Sequence, residues 1–334
     1  MRYALVTTSY PVASNDSAGH FVRAEARSLA RSGHDVWVLA PEGKHVTDPG
    51  VLTVPLPHFG LFGHPGALER MKREPWLAIG LLPFVGAAQR ALRRLEPLER
   101  VVAHWVMPAL WPIAHRTNAR IEVVAHGSDV TLLERVPGWA RARVLRALDL
   151  PNVEVRCVSA DLARRLMTLA NDRAYHLKAK LRVAPCQIDI PKIGDPRQLR
   201  QKWGIGNVPL VVVGGRLVPS KGVEQALEAG SMLEGARLAV LGDGPLRTTL
   251  QNRYPEALWL GHLPRTEALT WIRAADLVLL ASREEGAPTM VREARAMDTD
   301  VVCLEVADLR VSTSTDPGLH LVSTTEPERG QTSW

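Results

Sequence analysis

The strongest constraint on the fold is a repeated alternation of short apolar runs with helical segments. Residues 3–8 (YALVTT) and 36–40 (VWVLA) are rich in aliphatic and β-branched side chains, and between them apolar residues recur at helical spacing. This alternation is typical of parallel βαβ units. The apolar runs recur at 101–105, 121–127, 153–159 and 181–185. The first half of the chain is therefore predicted to form one α/β layered structure.

A change of composition then divides the chain. Between residues 185 and 208 it is rich in proline, glycine and charge and has no sustained apolar run, as is common at domain boundaries. The alternation restarts with predicted strands at 209–215, 236–244, 257–263, 276–282 and 300–306. We therefore predict two doubly wound domains, 1–188 and 189–322, and a disordered polar tail at 323–334. Because open α/β sheets bind ligands beyond the carboxyl ends of their strands, the functional residues should lie there.

Composition excludes several classes of protein. The 334 residues are too many for a single small binding module, and 46% hydrophobic with 23% charged residues is typical of a globular chain rather than a fibrous or disordered one. The net charge of +6 suits an anionic partner, which could be nucleic acid, anionic lipid or a phosphorylated small molecule. Nucleic acid is the least favoured, because no recognition motif is present and only 5% of the residues are aromatic.

Cysteine usage and the apolar stretches favour a cytoplasmic protein. Cys157, Cys186 and Cys303 are widely spaced and lack the paired spacing of a zinc or redox motif, so we expect them to be reduced. The amino-terminal apolar run is too short for a signal peptide. The longest apolar stretch, 76–88, is broken by glycine and proline and is shorter than the ~20 residues that span a bilayer.

Two cations follow a predicted strand of the second domain. In VVVGGRLVPSKG (211–222) a buried strand runs into a glycine pair, after which come Arg216 and Lys221. A diphosphate suits such cations, because the guanidinium offers a planar fork and the ammonium a compact charge. Two solvated loop cations would give the same pattern, so these residues alone leave both interpretations open.

Two glutamates follow another predicted strand. In REEGAPTMVREARAM (283–297), Glu285 is predicted in the loop and Glu293 about two turns into the following helix. The free N–H groups at that helix start favour a phosphate, and a carboxylate can accept hydrogen bonds from sugar hydroxyls, paired ribose hydroxyls among them. The alternative is that both glutamates only complement the helix dipole.

Weaker signals lie at other strand ends. In AHGSDV (125–130), His126 and Asp129 follow a strand, although a lone histidine is more often structural. Gly19, before the first predicted helix, and Gly242, in LGDGP, could let the backbone approach a phosphate or an acceptor. Both glycines could equally be simple turn residues.

In their order and spacing these motifs resemble the retaining glycosyltransferases of family 4, whose GT-B fold has two Rossmann-like domains facing across a cleft. The resemblance covers residues 1 to about 297 and rests on SYP…AGHF, SGHDVWVLAP, AHW..PA, HGSDV, GRLVPSKGVEQALEA, GDGPLR, LGHLPRTE and S.EEGAPTMVREARAM. The first half looks most like members that build polysaccharide or cell-envelope glycans. The resemblance implies a hexosyltransferase that uses a UDP- or GDP-sugar and a glycan, lipid-linked or small-molecule acceptor.

The same resemblance implies roles for residues of the donor site. Arg216 and Lys221 would hold the diphosphate and stabilise the leaving nucleotide. Glu293 would bind the ribose hydroxyls, and the backbone of Leu263 would meet the nucleobase. Gly242 would lie beside the donor.

Further roles concern the transferred sugar. Glu285 would contact it, and His126 of the first domain would reach it across the cleft. Gly19 is also assigned to the donor site. Backbone groups of three residues would assist Glu285: Gly286, Ala287 and Pro288.

The mechanism that the family implies is front-face substitution with retention. The acceptor hydroxyl attacks the face that the nucleotide leaves, through an oxocarbenium-like state, and the leaving diphosphate can take the acceptor's proton. Such a reaction needs cations on the phosphate more than a carboxylate nucleophile. No Asp-x-Asp motif stands at a strand end, and arginine with lysine can replace a divalent cation. We therefore expect activity without a metal or other cofactor.

The family pattern changes after Met297. Asp298-Thr299-Asp300 replaces the usual glycine turn, Ala307-Asp308 stands where the family has a glycine pair, and the family's one or two terminal helices do not follow. The alternative prediction is therefore a non-catalytic relative that binds a nucleotide or a partner protein. A nucleotide-sugar epimerase is a third interpretation, less favoured because it should carry other acids in the cleft.

A basic and apolar segment could place the first domain on a membrane. The apolar stretch 76–88 is surrounded by seven basic residues: Arg70, Lys72, Arg73, Arg90, Arg93, Arg94 and Arg100. Such a patch can lie on an anionic surface, which predicts peripheral association with the inner face of the membrane and a lipid-linked acceptor. An ordinary amphipathic helix whose arginines reach into solvent explains the pattern equally well.

Overall fold

The chain folds into two compact units, Met1–Asp189 and Ile190–Trp334. The structure, a computed structural model, describes residues 1–13, 16–63, 66–171, 174–283, 285–306, 309 and 316–322. The tail predicted at 323–334 and the Ala307-Asp308 pair lie outside the described residues.

Within the described part of the chain, the first unit is built on a parallel sheet of seven strands. Their bounds are β1 Arg2–Val6, β2 Asp35–Pro41, β3 Val51–Leu56, β4 Arg100–His104, β5 Arg120–Ala125, β6 Val153–Cys157 and β7 Leu181–Val183. The strand order is β3-β2-β1-β4-β5-β6-β7. The order reverses between β1 and β4, so the loops that follow these two strands are neighbours.

Helices cover both faces of this sheet, as parallel sheets require. They are α1 His20–Arg31, α2 Ala67–Arg73, α3 Leu81–Leu95, α4 Ser128–Arg135, α5 Gly138–Leu148, α6 Ala160–Ala170 and α7 Ala174–Lys180, with shorter helical turns at Pro75–Gly80, Val106–Ile113 and Ala114–Arg116. The central strand β1 buries three consecutive residues, Ala4, Leu5 and Val6, so it has no solvent face. Helix α1 buries Val22 and Ala26, one turn apart on the face that it turns to the core.

The second unit repeats this architecture, with six parallel strands among its described residues. The strands are β8 Leu210–Gly214, β9 Arg237–Leu241, β10 Leu258–Gly261, β11 Leu277–Leu280, β12 Asp300–Leu304 and β13 Leu319–Val322. The helices are α8 Pro196–Lys202, α9 Val223–Ser231, α10 Arg247–Arg253, α11 Arg265–Ala274 and α12 Thr289–Ala296, with a helical turn at Pro219–Lys221. The order β10-β9-β8-β11-β12-β13 reverses between β8 and β11.

Strand β8 shows how the second core is divided. Leu210 and Val212 pack in one apolar cluster, which contains the fully buried Trp271. Val211 and Val213 pack in a second cluster on the other face, which contains the apolar side of α9. Successive side chains of a strand point to opposite faces, so one apolar run supplies two cores.

The structure confirms the predicted α/β fold of two parallel sheets with helices. The sequence did not predict β3 or α8. The segment that contains α8 was interpreted as a linker, because this helix buries none of its residues and therefore has no apolar pattern. The carboxylate of Asp195 caps α8 by accepting from the N–H of Arg197 over 2.8 Å.

Two further predictions concern turns and membrane spans. The turn after α12 forms without glycine, because Asp298 adopts a left-handed conformation with φ +57°. Asp tolerates that region better than most residues. None of the described helices is long and apolar enough to cross a membrane.

Candidate functional site

The second unit brings a lysine and a glutamate together where its strand order reverses. Strands β8 and β11 are parallel neighbours, so the loops after their carboxyl ends lie side by side. Lys221 lies in the loop after β8 and Glu285 in the loop after β11. Lys221 Nζ donates to Glu285 Oε1 over 2.5 Å, and each side chain is 18% exposed. Residues far apart in sequence therefore form one partly open ion pair.

Backbone contacts hold the loop that carries Lys221. Gly222, which precedes α9, has φ +58°, and a Cβ there would overlap the carbonyl oxygen of Ala281 just after β11. Glycine is therefore required for the close approach of the two loops. The N–H of Arg283 also donates to the carbonyl of Ser220 over 3.3 Å. These contacts place Lys221 beside the loop of Glu285.

Arg216 and Gly242 lie at neighbouring strand ends. Arg216 follows β8 by two residues, and its side chain is half-buried. Gly242 directly follows β9, the other neighbour of β8, and donates its N–H to the carbonyl of Gly261 over 2.8 Å. Two cations, Arg216 and Lys221, therefore come from a single loop at the centre of this sheet edge.

The second glutamate is buried in an ion pair. Helix α12 begins at Thr289, so Glu293 lies just over one turn into it rather than the two turns expected. Glu293 is 5% exposed. Its Oε1 accepts from Nη1 of Arg265 over 2.5 Å, and Arg265 is itself only 7% exposed. The sequence contains Arg265 in the LPRTE string, but nothing in that string marks the arginine as buried.

The residues between the two glutamates form the entry to α12. Gly286 and Pro288 are buried and Ala287 is half-buried, with Pro288 directly before the helix. The first N–H groups of a helix have no acceptor within it, so a helix start offers donors to an anion. Leu263, predicted to act through its backbone, packs its side chain against the core of the second unit.

A pair of histidines lies at the strand ends of the first unit. His104 is the last residue of β4, and His126 follows the neighbouring strand β5. The two rings stack with centroids 5.3 Å apart, and His104 Nδ1 lies 3.1 Å from His126 Nε2. The other ring nitrogen of His126, Nδ1, lies 4.0 Å from Cys186 Sγ. Both nitrogens of His126 therefore face neighbours in the first unit.

Both imidazoles are neutral at physiological pH. Burial lowers the pKa of His104 to about 3, and the nearby Arg156 guanidinium adds to the effect. Burial, His104 and Arg156 hold the pKa of His126 well below its usual value. Arg156 pairs with Glu25 over 2.7 Å, and Glu25 Oε2 lies 3.7 Å from His104 Nε2. A neutral histidine pair therefore lies next to a partly buried ion pair.

Asp129 has a structural role. Its carboxylate is buried and accepts hydrogen bonds of 2.8–3.1 Å from the backbone N–H groups of Val106, His126, Gly127 and Val130. Burial raises the pKa of Asp129, although these hydrogen bonds oppose the rise. The carboxylate ties the loop after β4 to the loop after β5 and so fixes the backbone at His126.

Gly19 starts helix α1 in the first unit. It has φ +65°, and a Cβ there would overlap the carbonyl oxygen of Ser9 in the loop after β1. The next residues of α1 lie close to the histidine pair, since the ring of Phe21 is 4.9 Å from that of His126. Gly19 therefore sets the direction of a helix that packs beside His126.

The charged groups determine what the second unit can bind. Arg216 and Lys221 supply positive charge for an anion such as a phosphate, and carboxylates accept from hydroxyl groups. Among the described residues, no group of three or more His, Cys, Asp or Glu side chains is placed to hold a metal ion. The arrangement suits a ligand that carries both phosphate and hydroxyl groups.

Comparison with known proteins identifies the family. Residues 208–329 match the model of the Glycosyl transferases group 1 family. Over 328 residues, the chain is 25% identical to the putative teichuronic acid biosynthesis glycosyltransferase TuaC of Bacillus subtilis (strain 168), covering 92% of this chain and 81% of the relative. Residues 208–329 of the chain therefore form a Glycosyl transferases group 1 domain. This glycosyltransferase is also 26% identical over 314 residues to a GDP-mannose-dependent alpha-mannosyltransferase of Mycobacterium tuberculosis (strain CDC 1551 / Oshkosh), covering 90% of this chain and 78% of the relative.

Solved structures confirm the GT-B fold of this glycosyltransferase. Sucrose-phosphate synthase from Thermosynechococcus elongatus superposes with a TM-score of 0.74 at 18% identity, covering 98% of this chain and 86% of that one. Anabaena Alr3699/HepE in complex with UDP and glucose superposes with a TM-score of 0.69 at 14% identity, covering 97% and 86%. At these identities the likeness establishes the fold.

Proposed function

We propose that this glycosyltransferase moves a hexose from a nucleotide sugar to a glycan, glycolipid or small-molecule acceptor, with retention at the anomeric carbon. The observation that carries the proposal is the Lys221–Glu285 pair at the strand-order reversal of the second unit. It joins a cation suited to phosphate with a carboxylate suited to sugar hydroxyls. The other charged residues proposed to bind the donor are Arg216, at the same strand end, and Glu293, in α12.

The donor diphosphate is proposed to bind Arg216 and Lys221. Lys221 pairs with Glu285 in this structure, so donor binding replaces that carboxylate by a diphosphate oxygen as the partner of Nζ. Glu285 is then released to accept from hydroxyls of the transferred sugar. Because the pair is partly exposed, this exchange costs little compared with breaking a fully buried pair.

The remaining donor contacts follow from the placement of the second-unit residues. Glu293 is proposed to bind the ribose hydroxyls, and the backbone of Leu263 the base. The segment of Gly286, Ala287 and Pro288, at the start of α12, presents backbone groups to the sugar and phosphate. Gly242 and Gly19 allow close approach of neighbouring loops, and their backbones are proposed to lie beside the donor.

The proposed chemistry is displacement on the face that the nucleotide leaves. The acceptor hydroxyl forms the new bond to the anomeric carbon as the bond to the diphosphate oxygen breaks, and its proton passes to the leaving diphosphate. Arg216 and Lys221 offset the charge that grows on this leaving group, which is the main contribution expected from fixed cations. We propose that they do so without a metal ion. His126 is proposed to contact the sugar as a neutral imidazole, without contributing charge.

The donor base is proposed to be uracil or guanine. A structurally similar protein was solved with UDP and glucose, and a relative is described as GDP-mannose-dependent. The relative TuaC is described as a teichuronic acid biosynthesis protein, which supports a cell-envelope glycan as acceptor.

A lipid-linked acceptor at the cytoplasmic face of a membrane fits one surface of the first unit. Trp76, Ile79 and Leu82 are 58%, 61% and 74% exposed, although Leu77 and Phe84 of the same segment are buried. Arginine and lysine residues flank these exposed side chains on α2 and α3. Apolar side chains with basic neighbours bind anionic bilayers.

Liposome flotation tests the membrane part of the proposal. We expect the protein to bind anionic but not neutral vesicles, and absence of binding to anionic vesicles would contradict this part of the proposal.

The test of the donor site is thermal unfolding with UDP, GDP, ADP, dTDP or CDP, each with magnesium or with EDTA, beside the Glu293→Ala variant. A nucleotide at 100 times its Kd should stabilise the protein by about 2.7 kcal/mol, a shift of several degrees. We expect one base to give this shift with EDTA present, and the variant to lose it. The corresponding nucleotide sugar is then tested for transfer, with the product anomer read by NMR. Binding without transfer would favour a non-catalytic relative, and no shift with any nucleotide would contradict the donor site.

A further inference from the structure

A buried arginine occupies an unfavourable place in the second unit. Arg265 is the first residue of α11 and is 7% exposed. The positive end of a helix dipole disfavours a cation in the first turn, and removing a guanidinium from water costs several kcal/mol more. A residue that breaks both preferences is often retained for function.

The partner of Arg265 is a residue already assigned to the donor. Nη1 of Arg265 donates to Oε1 of Glu293 over 2.5 Å, and the two side chains are 9% and 7% exposed. A carboxylate has two oxygens and about four acceptor sites, so a bond from Arg265 is compatible with bonds from other donors. The arginine can therefore hold the carboxylate while it accepts from another donor.

Recognition of a ribose makes a specific demand on such a carboxylate. Two neighbouring hydroxyls bind well only if the carboxylate is held in one rotamer. A glutamate side chain loses considerable rotamer freedom when it is immobilised, and this cost falls on ligand binding unless another residue has already fixed the side chain. Pairing with a buried guanidinium meets this demand before the ligand arrives.

We propose that Arg265 is the positioning residue of the ribose site. It holds Glu293 in the orientation that accepts from the ribose hydroxyls, so the preference for a ribonucleotide over a 2′-deoxyribonucleotide depends on it. This inference rests on the proposed ribose role of Glu293. An ion pair with only a structural role would affect folding stability but would not affect that preference.

The experiment measures the Kd of UDP and dUDP, or of GDP and dGDP if guanine is the bound base, by titration calorimetry. The variants are Arg265→Lys, Arg265→Gln, Glu293→Gln and the double change of Arg265→Lys with Glu293→Gln. Arg295→Lys is the matched control. Arg295 lies on α12, the helix of Glu293, and it pairs with a different carboxylate, that of Asp316, over 2.9 Å. A melting curve of each variant checks that it is folded.

In the wild type we expect the ribonucleotide to bind roughly 10-fold or more tightly, as for a charge-assisted hydrogen bond. Arg265→Lys should lower this ratio to roughly 3-fold and Arg265→Gln to near unity, since a lysine keeps the charge without the planar fork. Arg295→Lys should leave the ratio unchanged. In the Glu293→Gln background Arg265→Lys should have no further effect, because the arginine acts through that glutamate.

The outcomes separate this inference from the donor site itself. If folded Arg265 variants keep the wild-type ratio while Glu293→Gln lowers it, the positioning role is wrong and the ribose site stands. If Glu293→Gln changes neither affinity nor ratio, the ribose site is wrong and the inference falls with it. Should Arg265→Gln fail to fold, Arg265→Lys decides, because it keeps the buried positive charge.

Discussion

The helix that follows the first strand begins in the same way in the two units, and the side chains beside it differ. Gly19 before α1 and Gly222 before α9 are both left-handed, with φ +65° and +58°. At each position a Cβ would overlap a carbonyl oxygen of a nearby loop, that of Ser9 or of Ala281. The shared glycine is thus a requirement of the strand-to-helix turn and says little about function.

The neighbouring side chains differ in charge. Beside the first strand end of the first unit lie His104 and His126, neutral because burial lowers the pKa of each. In the second unit the neighbouring loops after β8 and β11 carry the charged pair of Lys221 and Glu285. The left-handed glycine is therefore common to the two units, whereas the adjacent side chains are charged in the second unit and neutral in the first.

The sharpest test of this contrast removes the second unit's cation. We expect Lys221→Ala to lower the rate of sugar transfer roughly 10²- to 10³-fold, because a fixed cation no longer stabilises the leaving diphosphate. The free energy of unfolding should change by less than about 1 kcal/mol, since the pair is partly exposed. Steady-state kinetics and urea unfolding give the two values. Lys202→Ala, at an exposed lysine of α8, is the control, and a Lys221→Ala enzyme of wild-type rate would contradict the proposal.

The shared glycine is tested by adding one methyl group in each unit. Gly19→Ala and Gly222→Ala should each destabilise the protein by roughly 2–4 kcal/mol, because an L-residue is strained at these φ values and its Cβ meets backbone. Gly138→Ala, at the start of α5 where a Cβ would have open space, should be near neutral. Urea unfolding measures all three. If only one of these two variants has a strongly lowered free energy of unfolding, the two glycines do not have the same structural role.

The neutral histidines predict acid sensitivity in the first unit. His104 has a folded-state pKa of about 3 and an unfolded value near 6.5, so between these pH values the unfolded chain binds one more proton. The free energy of unfolding should therefore fall as pH drops below 6.5, by up to ~1.4 kcal/mol per pH unit for this histidine. His126 contributes in the same direction.

The pH dependence is measured by urea unfolding between pH 7 and pH 5. His104→Asn should make the dependence shallower by about one proton, and His176→Asn, at an exposed histidine of the first unit, should leave it as in the wild type. An unchanged slope in His104→Asn would mean that this imidazole is not held neutral by the fold.

Much of the fold could be predicted from local patterns. Apolar runs of four to seven residues between helical segments indicate buried parallel strands, and the helix over Arg265–Ala274 follows its apolar spacing closely. Strand β3 and helix α8 were missed because the first contains a proline and exposed positions and the second buries nothing. Neither pattern carries the apolar periodicity on which such predictions depend.

The sequence indicated the residue types of the candidate site but not the pairs that they form. The sequence indicated Arg216, Lys221, Glu285 and Glu293 as residues at strand ends or a helix start, because a charged residue just after an apolar run is a local signal. Nothing local marked Arg265 as the partner of Glu293.

The sequence by itself determined the kinds of element, their order and the loops that carry charge, since these depend on spacing within a few residues. Only the tertiary structure decided which of those loops are neighbours. Strand order places β8 beside β11 and β4 beside β5, and so joins Lys221 to Glu285 and His104 to His126. Burial decided the charge of the histidines, because desolvation acts on a side chain through everything packed around it, and that environment comes from distant parts of the chain.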